Sequence, residues 1–337
     1  MEIQKNISLK PFNTFHVEAA ASSFIQLQSP KQIPQAVDYA QTKNLPILIL
    51  GQGSNILFTQ DYSGLVINLG FDDISYQQVN ENVTRVTAEA GASWHRLVLD
   101  TLKHDCFGLE NLTLIPGSVG AAPVQNIGAY GVELKDSLVD VSVYDTQDKK
   151  FKTLSADECQ FGYRDSVFKS QAKGRYIIIA VTFHLSGKPD INIEYQSLKE
   201  YLQASDMQHI SPTQVSAAVA AVRQARLPDP AVTGNAGSFF RNPEIDPMHF
   251  QSLQQTWPDI PGRESGGKVK LSSAWLIENA GWKGYCNDDA CVSEQHALVL
   301  INKGNASGRE IYQLAMEVRA GVNEKFGVEL EPEVTIY

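Results

Sequence analysis

The glycine-rich turn that follows the first strongly apolar segment does most to limit what this chain can fold into. The apolar run at residues 45–50 predicts a buried strand, and Gly51-Gln52-Gly53-Ser54-Asn55 follows it directly. A Rossmann dinucleotide-binding turn would need a third glycine at position 56, which is Ile56, and a long helix after it. A further strand pattern at residues 65–69 follows instead. The turn is therefore not a Rossmann turn. It is either a nest of backbone N–H groups that binds phosphate or a tight turn without a ligand.

A second loop of small residues lies between Pro116 and Gly131. Its sixteen residues contain four glycines and three alanines. Such a surface lets a ligand approach the backbone closely, although close packing of neighbouring segments would select the same composition. Two such loops suit an extended cofactor with a diphosphate centre, such as FAD bound outside a Rossmann fold. The candidate cofactor-binding residues are Gly51, Gly53, Ser54, Asn55, Pro116, Gly117, Ser118, Gly120, Ala121, Asn126, Gly128 and Gly131.

Helical and strand periodicities are mixed along the whole chain, which predicts an α+β or α/β protein. Helices are predicted over residues 32–43, 94–102, 212–226, 272–279 and 307–326, and strands over 45–50, 65–69, 83–90, 138–144, 176–185, 297–302 and 328–337. A chain of 337 residues is long for one core, so we expect two or three domains. We place them at residues 1–70, 71–219 and 220–327. The terminal strand over residues 328–337 is a candidate to pack back onto the domain formed by residues 71–219.

Charge and composition exclude several classes of protein. The net charge is −10, and the 28 Lys and Arg residues are scattered instead of forming the basic stripe of a nucleic-acid binder. No apolar run approaches the roughly 18 residues of a membrane helix. The first five residues do not resemble a signal peptide, so we expect a cytoplasmic protein. Cys106, Cys159, Cys286 and Cys291 lack zinc-site spacing, and we expect four reduced thiols and no metal.

Five segments occur in an order that resembles the UDP-N-acetylenolpyruvoylglucosamine reductase family, in its longer form. They are PILILGQGSNIL from Pro46, IPGSVGAAPVQNIGAYG from Ile115, FGYRDSVFK from Phe161, GNAGSFFRNP from Gly234 and LEPEV from Leu330. The resemblance implies an α+β protein with a two-subdomain non-Rossmann FAD-binding fold (PCMH/VAO-like) and a C-terminal α+β substrate-binding domain. It also implies FAD as cofactor and NADPH as co-substrate. The reaction would reduce the enolpyruvyl double bond of UDP-N-acetylglucosamine enolpyruvate to UDP-N-acetylmuramate, for peptidoglycan synthesis.

The resemblance also implies three catalytic residues. Arg164 would hold the substrate carboxylate, because a guanidinium is always charged and can bind bidentately. Ser238 would protonate the carbon next to the one that receives hydride. Glu333, the last of three alternating glutamates, would be the active-site carboxylate. From the residues alone, Arg164 could pair with its acidic neighbour and Ser238 could be an ordinary turn residue.

Further residues match substrate contacts of the family. Tyr195 resembles a tyrosine on a loop that covers the substrate, Arg226 stands where relatives have Lys or Arg, and Asn242 matches a family contact. His296 stands where some relatives have Gln, which leaves its contact with substrate open. We expect a monomer with a small UDP-sugar substrate.

Two other functions remain open from the sequence. The first is an FAD-dependent oxidase of the same fold with oxygen as acceptor. No histidine for tethering the flavin lies in either small-residue loop. The second is a non-catalytic protein that binds a nucleotide sugar. The presence of Arg164, Ser238 and Glu333 on three separate segments argues against it.

Overall fold

The computed structural model describes residues 2–203 and 210–337. The chain forms two compact units. The first comprises Met1–Ile7, Ala21–Gln52 and Ser63–Ala225, and the second comprises Ser8–Ala20, Gly53–Tyr62 and Arg226–Tyr337. The chain thus passes between the units inside the first glycine-rich turn. The division into three domains at residues 70 and 219 remains a prediction.

Strands and helices mix throughout both units, as the sequence predicts. The helices are α1 (Ile33–Thr42), α2 (Trp94–Lys103), α3 (Gln196–Leu202), α4 (Pro212–Arg226), α5 (Pro247–Thr256), α6 (Ser273–Asn279) and α7 (Gly308–Phe326). The strands are β1 (Gln4–Ser8), β2 (Ala20–Leu27), β3 (Ile47–Leu50), β4 (Ile56–Leu57), β5 (Tyr62–Leu69), β6 (Ile74–Asn80), β7 (Val83–Glu89), β8 (Gly128–Ala129), β9 (Val132–Glu133), β10 (Leu138–Asp145), β11 (Lys150–Ser155), β12 (Tyr176–Ser186), β13 (Gly234–Ser238), β14 (Glu244–Ile245), β15 (Gly262–Ser265), β16 (Lys268–Leu271), β17 (Cys286–Asn287), β18 (Ala290–Val292), β19 (Val299–Asn302) and β20 (Thr335–Ile336). None of the helices within the described ranges is both long and apolar enough to cross a membrane.

The first unit is built on two sheets. A four-stranded sheet has the order β1-β2-β5-β3, in which β3 runs parallel to β5, and an antiparallel five-stranded sheet has the order β11-β10-β12-β7-β6. Trp94 on α2 is buried, packs edge-on against Phe183 and donates a hydrogen bond from its indole to the Leu112 carbonyl at 2.9 Å. The Trp94 backbone N–H donates to the Gly117 carbonyl at 3.0 Å, which attaches the start of the second small-residue loop to α2. Within this loop Val119–Gln125 form a 3-10 helix.

The second unit is built around a four-stranded antiparallel sheet with the order β13-β19-β18-β17. Helix α7 contacts β18 and β19 of this sheet. It begins at the N-cap Ser307, which forms a reciprocal capping box with Glu310, and it ends at Gly327 with φ +64°. These local signals explain why the sequence predicts the bounds of α7 correctly.

The predicted terminal strand over residues 328–337 is wrong for most of its length, because only Thr335–Ile336 form a strand. Residues 331–333 run beside 239–241 through separate hydrogen bonds from Glu333 N–H to the Phe239 carbonyl and from Arg241 N–H to the Glu331 carbonyl. Pro332, between them, has no N–H to donate, so a continuous ladder does not form. The whole segment belongs to the second unit, which contains Arg226–Tyr337, whereas the predicted domain over residues 71–219 lies in the first unit.

The prediction of four reduced thiols is also wrong, because a disulfide joins Cys286 to Cys291. The two residues lie directly opposite each other in the β17–β18 hairpin, with their Cα atoms 4.1 Å apart. This separation is short enough for a disulfide to form. Cys106 and Cys159 are free and buried, and burial raises the pKa of Cys159 to about 12.

Candidate active site

The two small-residue loops meet within the first unit. A Cβ atom on Gly51 would collide with the Ser118 hydroxyl, and the Gly117 N–H donates to the Gln52 side-chain carbonyl at 3.1 Å. The Asn68 amide supports the same turn by donating to the Leu50 carbonyl at 2.8 Å. The two loops to which the sequence assigns one cofactor therefore lie against each other.

Contacts within the protein explain several of the glycines directly. Gly53 has φ +65°, and a Cβ there would collide with the Phe12 carbonyl. A Cβ on Gly120 would lie 2.6 Å from the Cβ of Ala90 at the end of β7. At these two positions close packing accounts for the residue type. Contact of Gly53 and Gly120 with a cofactor remains a prediction.

The other predicted cofactor residues differ in exposure. Pro116 and Ala121 are exposed, Gly117 and Ser118 are buried, and Ser54 and Asn55 are half-buried. The exposed pair flanks the buried pair, so the loop has one face toward solvent and one toward the core. Gly128 is the first residue of β8, and Gly131, with φ +83°, lies in the turn of the short β8–β9 hairpin.

Asn126 holds the loop that carries Arg164. It is buried with φ +44°, and its amide donates to Glu133 Oε2 at 3.0 Å and to the Gly162 carbonyl at 3.1 Å. Its side-chain oxygen accepts the Lys135 N–H at 3.1 Å. These three hydrogen bonds use both the nitrogen and the oxygen of the amide, so the polar atoms of the Asn126 side chain bind other residues of the protein.

Arg164 is half-buried and adopts a conformation that is uncommon outside glycine. Its φ is +53°, and its Nη2 donates to the Gly128 carbonyl at 3.1 Å. The Lys169 ammonium donates to the Arg164 carbonyl at 3.3 Å. The guanidinium is thus oriented by the second small-residue loop, so both features belong to one body.

Tyr130 and Asn111 also belong to this region, and neither was selected from the sequence. The rings of Tyr130 and Tyr195 meet edge to face with centroids 5.2 Å apart. Asn111 is buried and donates to the Tyr130 carbonyl at 3.0 Å and to the Asn192 carbonyl at 2.8 Å. One amide therefore ties the second loop to the segment that carries Tyr195. Tyr130 lies inside a motif of the family, whereas no local pattern marks Asn111.

Ser238 and Glu333 are neighbours within the second unit. Ser238 ends β13 after Gly237, whose φ is +69°. The Glu333 N–H donates to the carbonyl of Phe239, the residue after Ser238, at 2.8 Å. The Asn55 amide donates to the Glu333 carbonyl at 3.3 Å. Three predicted site residues from three separate segments therefore lie together.

Arg226, Asn242 and His296 also belong to the second unit. The Asn242 side-chain oxygen accepts the Ser273 N–H at 3.0 Å, at the start of α6. Burial lowers the pKa of His296, and the positive charges of Arg226 and Lys283 lower it further. Its Nδ1 accepts the Leu298 N–H at 3.3 Å, which assigns the proton of the neutral ring to Nε2. His296 can therefore donate one hydrogen bond, as a glutamine amide can.

A cavity of about 450 Å³ in the second unit lies apart from the predicted site residues. It is lined by Lys10, Pro11, His16, Val232, Gly234, Asn302, Lys303 and Gly304. It adjoins the first residue of β13, whereas Ser238 is the last. Within the parts of the chain that the structure describes, no group of three His, Cys, Asp or Glu side chains is arranged to hold a metal ion.

Two sequence profiles match the chain. One, described as an FAD binding domain, covers residues 21–154, and the other, described as the C-terminal domain of UDP-N-acetylenolpyruvoylglucosamine reductase, covers residues 229–337. The first spans the two small-residue loops, and the second spans Ser238, Asn242 and Glu333. The matches agree with the division of predicted roles between the cofactor and the substrate.

Full-length relatives give the same result. The UDP-N-acetylenolpyruvoylglucosamine reductase of Chromobacterium violaceum is 44% identical over 338 residues, covering 100% of this chain and 99% of its own. The Pseudomonas aeruginosa enzyme of the same name is 40% identical, with the same coverage. The solved structure of the Thermus caldophilus reductase covers 100% of this chain and 99% of its own, with a TM-score of 0.71 and 23% identity. That likeness concerns the fold, and together with the FAD-binding profile it confirms the predicted fold class. The chain belongs to the UDP-N-acetylenolpyruvoylglucosamine reductase family.

Proposed function

We propose that this protein reduces the enolpyruvyl double bond of UDP-N-acetylglucosamine enolpyruvate to give UDP-N-acetylmuramate, with FAD as cofactor and NADPH as hydride source. The observation that carries the proposal is the pairing of the Ser238 and Glu333 segments by the hydrogen bond from Glu333 N–H to the Phe239 carbonyl. This hydrogen bond brings together the two segments that carry the proposed proton donor and the proposed carboxyl, in a chain that is 44% identical to a named reductase.

The cofactor would lie against the backbones of the two small-residue loops. Gly51 and Gly117, which have no side chains, lie where the two turns meet. Backbone N–H groups on such turns suit a diphosphate. Bound FAD supplies the hydride for the terminal carbon of the double bond.

The protein residues would stabilise the charge that hydride addition creates. Negative charge grows on the adjacent carbon and spreads into the substrate carboxylate as an enolate. The Arg164 guanidinium, oriented by the Gly128 carbonyl, would hold that carboxylate and stabilise the developing charge. The Ser238 hydroxyl would then give its proton to the adjacent carbon. Hydride and proton together saturate the double bond, and Ser238 regains a proton from solvent.

Glu333, Arg226, Asn242 and Tyr195 would position the substrate. Glu333 is less exposed than Glu329 and Glu331, which agrees with a role in a site and not on the surface. Arg226 would provide a cation for the diphosphate, and the Nε2–H of neutral His296 would provide a donor nearby. The cytoplasmic location and the monomeric state remain predictions from the sequence.

A combined binding and turnover experiment tests the proposed function. The purified protein is expected to be yellow and to release FAD on denaturation. Beyond the single equivalent of NADPH that reduces the flavin, it is expected to oxidise NADPH continuously only when the enolpyruvyl substrate is present. The product should be heavier than the substrate by two hydrogen atoms. A bound flavin that NADPH does not reduce quickly under anaerobic conditions would favour the oxidase. Substrate binding without NADPH oxidation would indicate a non-catalytic binding protein.

A further inference from the structure

Arg223, near the end of α4, is a cation at a shielded position next to the predicted site. Its Nε is shielded from solvent and has no hydrogen-bond partner among residues 2–203 and 210–337. Leaving a buried donor unpaired is costly, and for a charged group the cost is larger still. A protein that retains such a group either tolerates the cost or offsets it when a ligand binds.

The neighbours of Arg223 favour a ligand. Burial lowers the pKa of Arg223, the nearby Tyr130 hydroxyl acts in the opposite direction, and the guanidinium of Arg164 lowers the pKa further. Arginine nevertheless keeps its charge in proteins. Arg164 donates to the Gly128 carbonyl, and Arg223 is hydrogen-bonded to Tyr130, two residues further along the same loop. Both guanidinium groups therefore lie beside one short segment, where an anion between them would offset their repulsion and accept the unpaired Nε–H of Arg223.

The surrounding contacts make this arrangement rigid before any ligand binds. Arg164 is held by the Gly128 carbonyl, and the carbonyl of Tyr130 is held by the buried Asn111. Val222, next to Arg223, belongs to an apolar cluster on which Tyr130 also packs. The guanidinium groups thus project from two fixed segments of the first unit.

We propose that Arg223 and Arg164 form a guanidinium pair that binds the carboxylate of the enolpyruvyl substrate. This inference rests on the proposed function, and it adds a second cation to the carboxylate site. The carboxylate becomes more negative as hydride arrives, so a second guanidinium stabilises the transition state more than the bound substrate. Arg223 is then a residue of the reaction site and not a packing residue of α4.

The test compares Arg223→Met, which keeps the apolar stem without the charge, with Arg223→Lys, which keeps the charge without the planar fork. Arg309→Met, on the exposed face of α7, is the matched control. Binding of the enolpyruvyl substrate and of UDP-N-acetylglucosamine, which lacks the carboxylate, is measured by calorimetry on the oxidised holoenzyme. The melting temperature of each variant is measured without ligand.

The carboxylate site predicts three results for Arg223→Met. The melting temperature is equal to or above wild type, because a shielded charge whose Nε has no hydrogen-bond partner in the described residues is removed. Affinity for the enolpyruvyl substrate falls about 10- to 100-fold, the usual range for hydrogen bonds to a charged group. Affinity for UDP-N-acetylglucosamine changes less than about twofold. Arg223→Lys should recover part of the lost affinity, and Arg309→Met should match wild type throughout.

Two results would overturn the inference. A lower melting temperature with unchanged affinity would make Arg223 a structural residue. Equal losses for both ligands would assign Arg223 to the diphosphate instead of the carboxylate. Neither measurement needs turnover, so an inactive wild-type protein would contradict the proposed function while the Arg223 results would still be decisive.

Discussion

Replacing Asn111 with alanine would remove the amide that ties two segments of the first unit together. The Asn111 side chain is 2% exposed, and its Nδ2 donates to the Tyr130 carbonyl at 3.0 Å and to the Asn192 carbonyl at 2.8 Å. Tyr130 lies in the second small-residue loop, and Asn192 lies three residues before Tyr195. The substitution therefore leaves two carbonyl groups without their donor and frees the segment around Tyr195.

The expected cost follows from those two bonds. A fully buried carbonyl that loses its donor costs about 1–3 kcal/mol. The two carbonyls here are only partly buried, so we expect the lower part of the summed range, a loss of about 2–4 kcal/mol in the free energy of unfolding of the first unit. Urea unfolding would measure the loss, and hydrogen exchange would locate it. Amides of residues 192–198 should exchange faster, whereas those of β10 and β12 in the same unit should be unchanged.

A control and a functional measurement make this prediction specific. Asn279→Ala removes an exposed amide that donates to the Trp275 carbonyl at 2.9 Å, and it should cost less than about 0.5 kcal/mol. Because Tyr195 is proposed to contact the substrate, Asn111→Ala should raise KM for the UDP-sugar more than it lowers kcat. The reasoning is refuted if both variants are equally stable and exchange around Tyr195 does not change.

Three further predictions concern catalysis, stability and cofactor retention. Ser238→Ala should slow reoxidation of the flavin by substrate about 10²- to 10⁴-fold with little effect on its reduction by NADPH, measured by stopped-flow absorbance; equal effects on both steps would contradict the assigned role. Asp145 is buried and paired with Arg175, which lowers the pKa of its carboxyl. The resulting stability should be complete above about pH 5 and be lost as the pH falls toward the lowered pKa, and Asp145→Asn should cost about 3 kcal/mol at neutral pH; urea unfolding at a series of pH values that showed no difference from wild type would refute this. Gly53→Ala should reduce the amount of flavin retained on purification. Gly174, whose φ is +78°, has open space around it, so Gly174→Ala should retain as much flavin as wild type. Equal flavin content in the two variants would show that the contact of residue 53 with Phe12 is unimportant for flavin binding.

Local signals in the sequence account for the elements that could be predicted. Helix α4 begins at Pro212, and α7 begins behind Ser307 and ends before Gly327, as the caps indicate. The terminal strand could not be predicted, because alternation of buried and exposed residues persists while Pro332 interrupts the hydrogen bonds. The alternating sequence pattern indicates which side chains are buried. Whether the backbone forms strand hydrogen bonds depends on the neighbouring segment, which the pattern does not specify.

The residues of the candidate site also fall into two groups: those that a sequence motif marks and those that no pattern marks. Glu333 and Ser238 lie within family motifs, but the pairing of their two segments joins distant parts of the chain and cannot be deduced from any spacing in the sequence. Asn111 and Arg223 carry no pattern, because a buried Asn and a shielded Arg have the residue types of ordinary surface positions. The Cys286–Cys291 disulfide could not be predicted from the spacing of the two residues, because it depends on the hairpin that brings them directly opposite each other.

The most direct test of the central claim is an anaerobic titration of the holoenzyme followed by visible absorbance. NADPH should bleach the flavin. UDP-N-acetylglucosamine enolpyruvate should then restore the oxidised spectrum in a one-to-one ratio, with formation of UDP-N-acetylmuramate. A flavin that stays bleached with this substrate and recovers its colour only when oxygen is admitted would contradict the account.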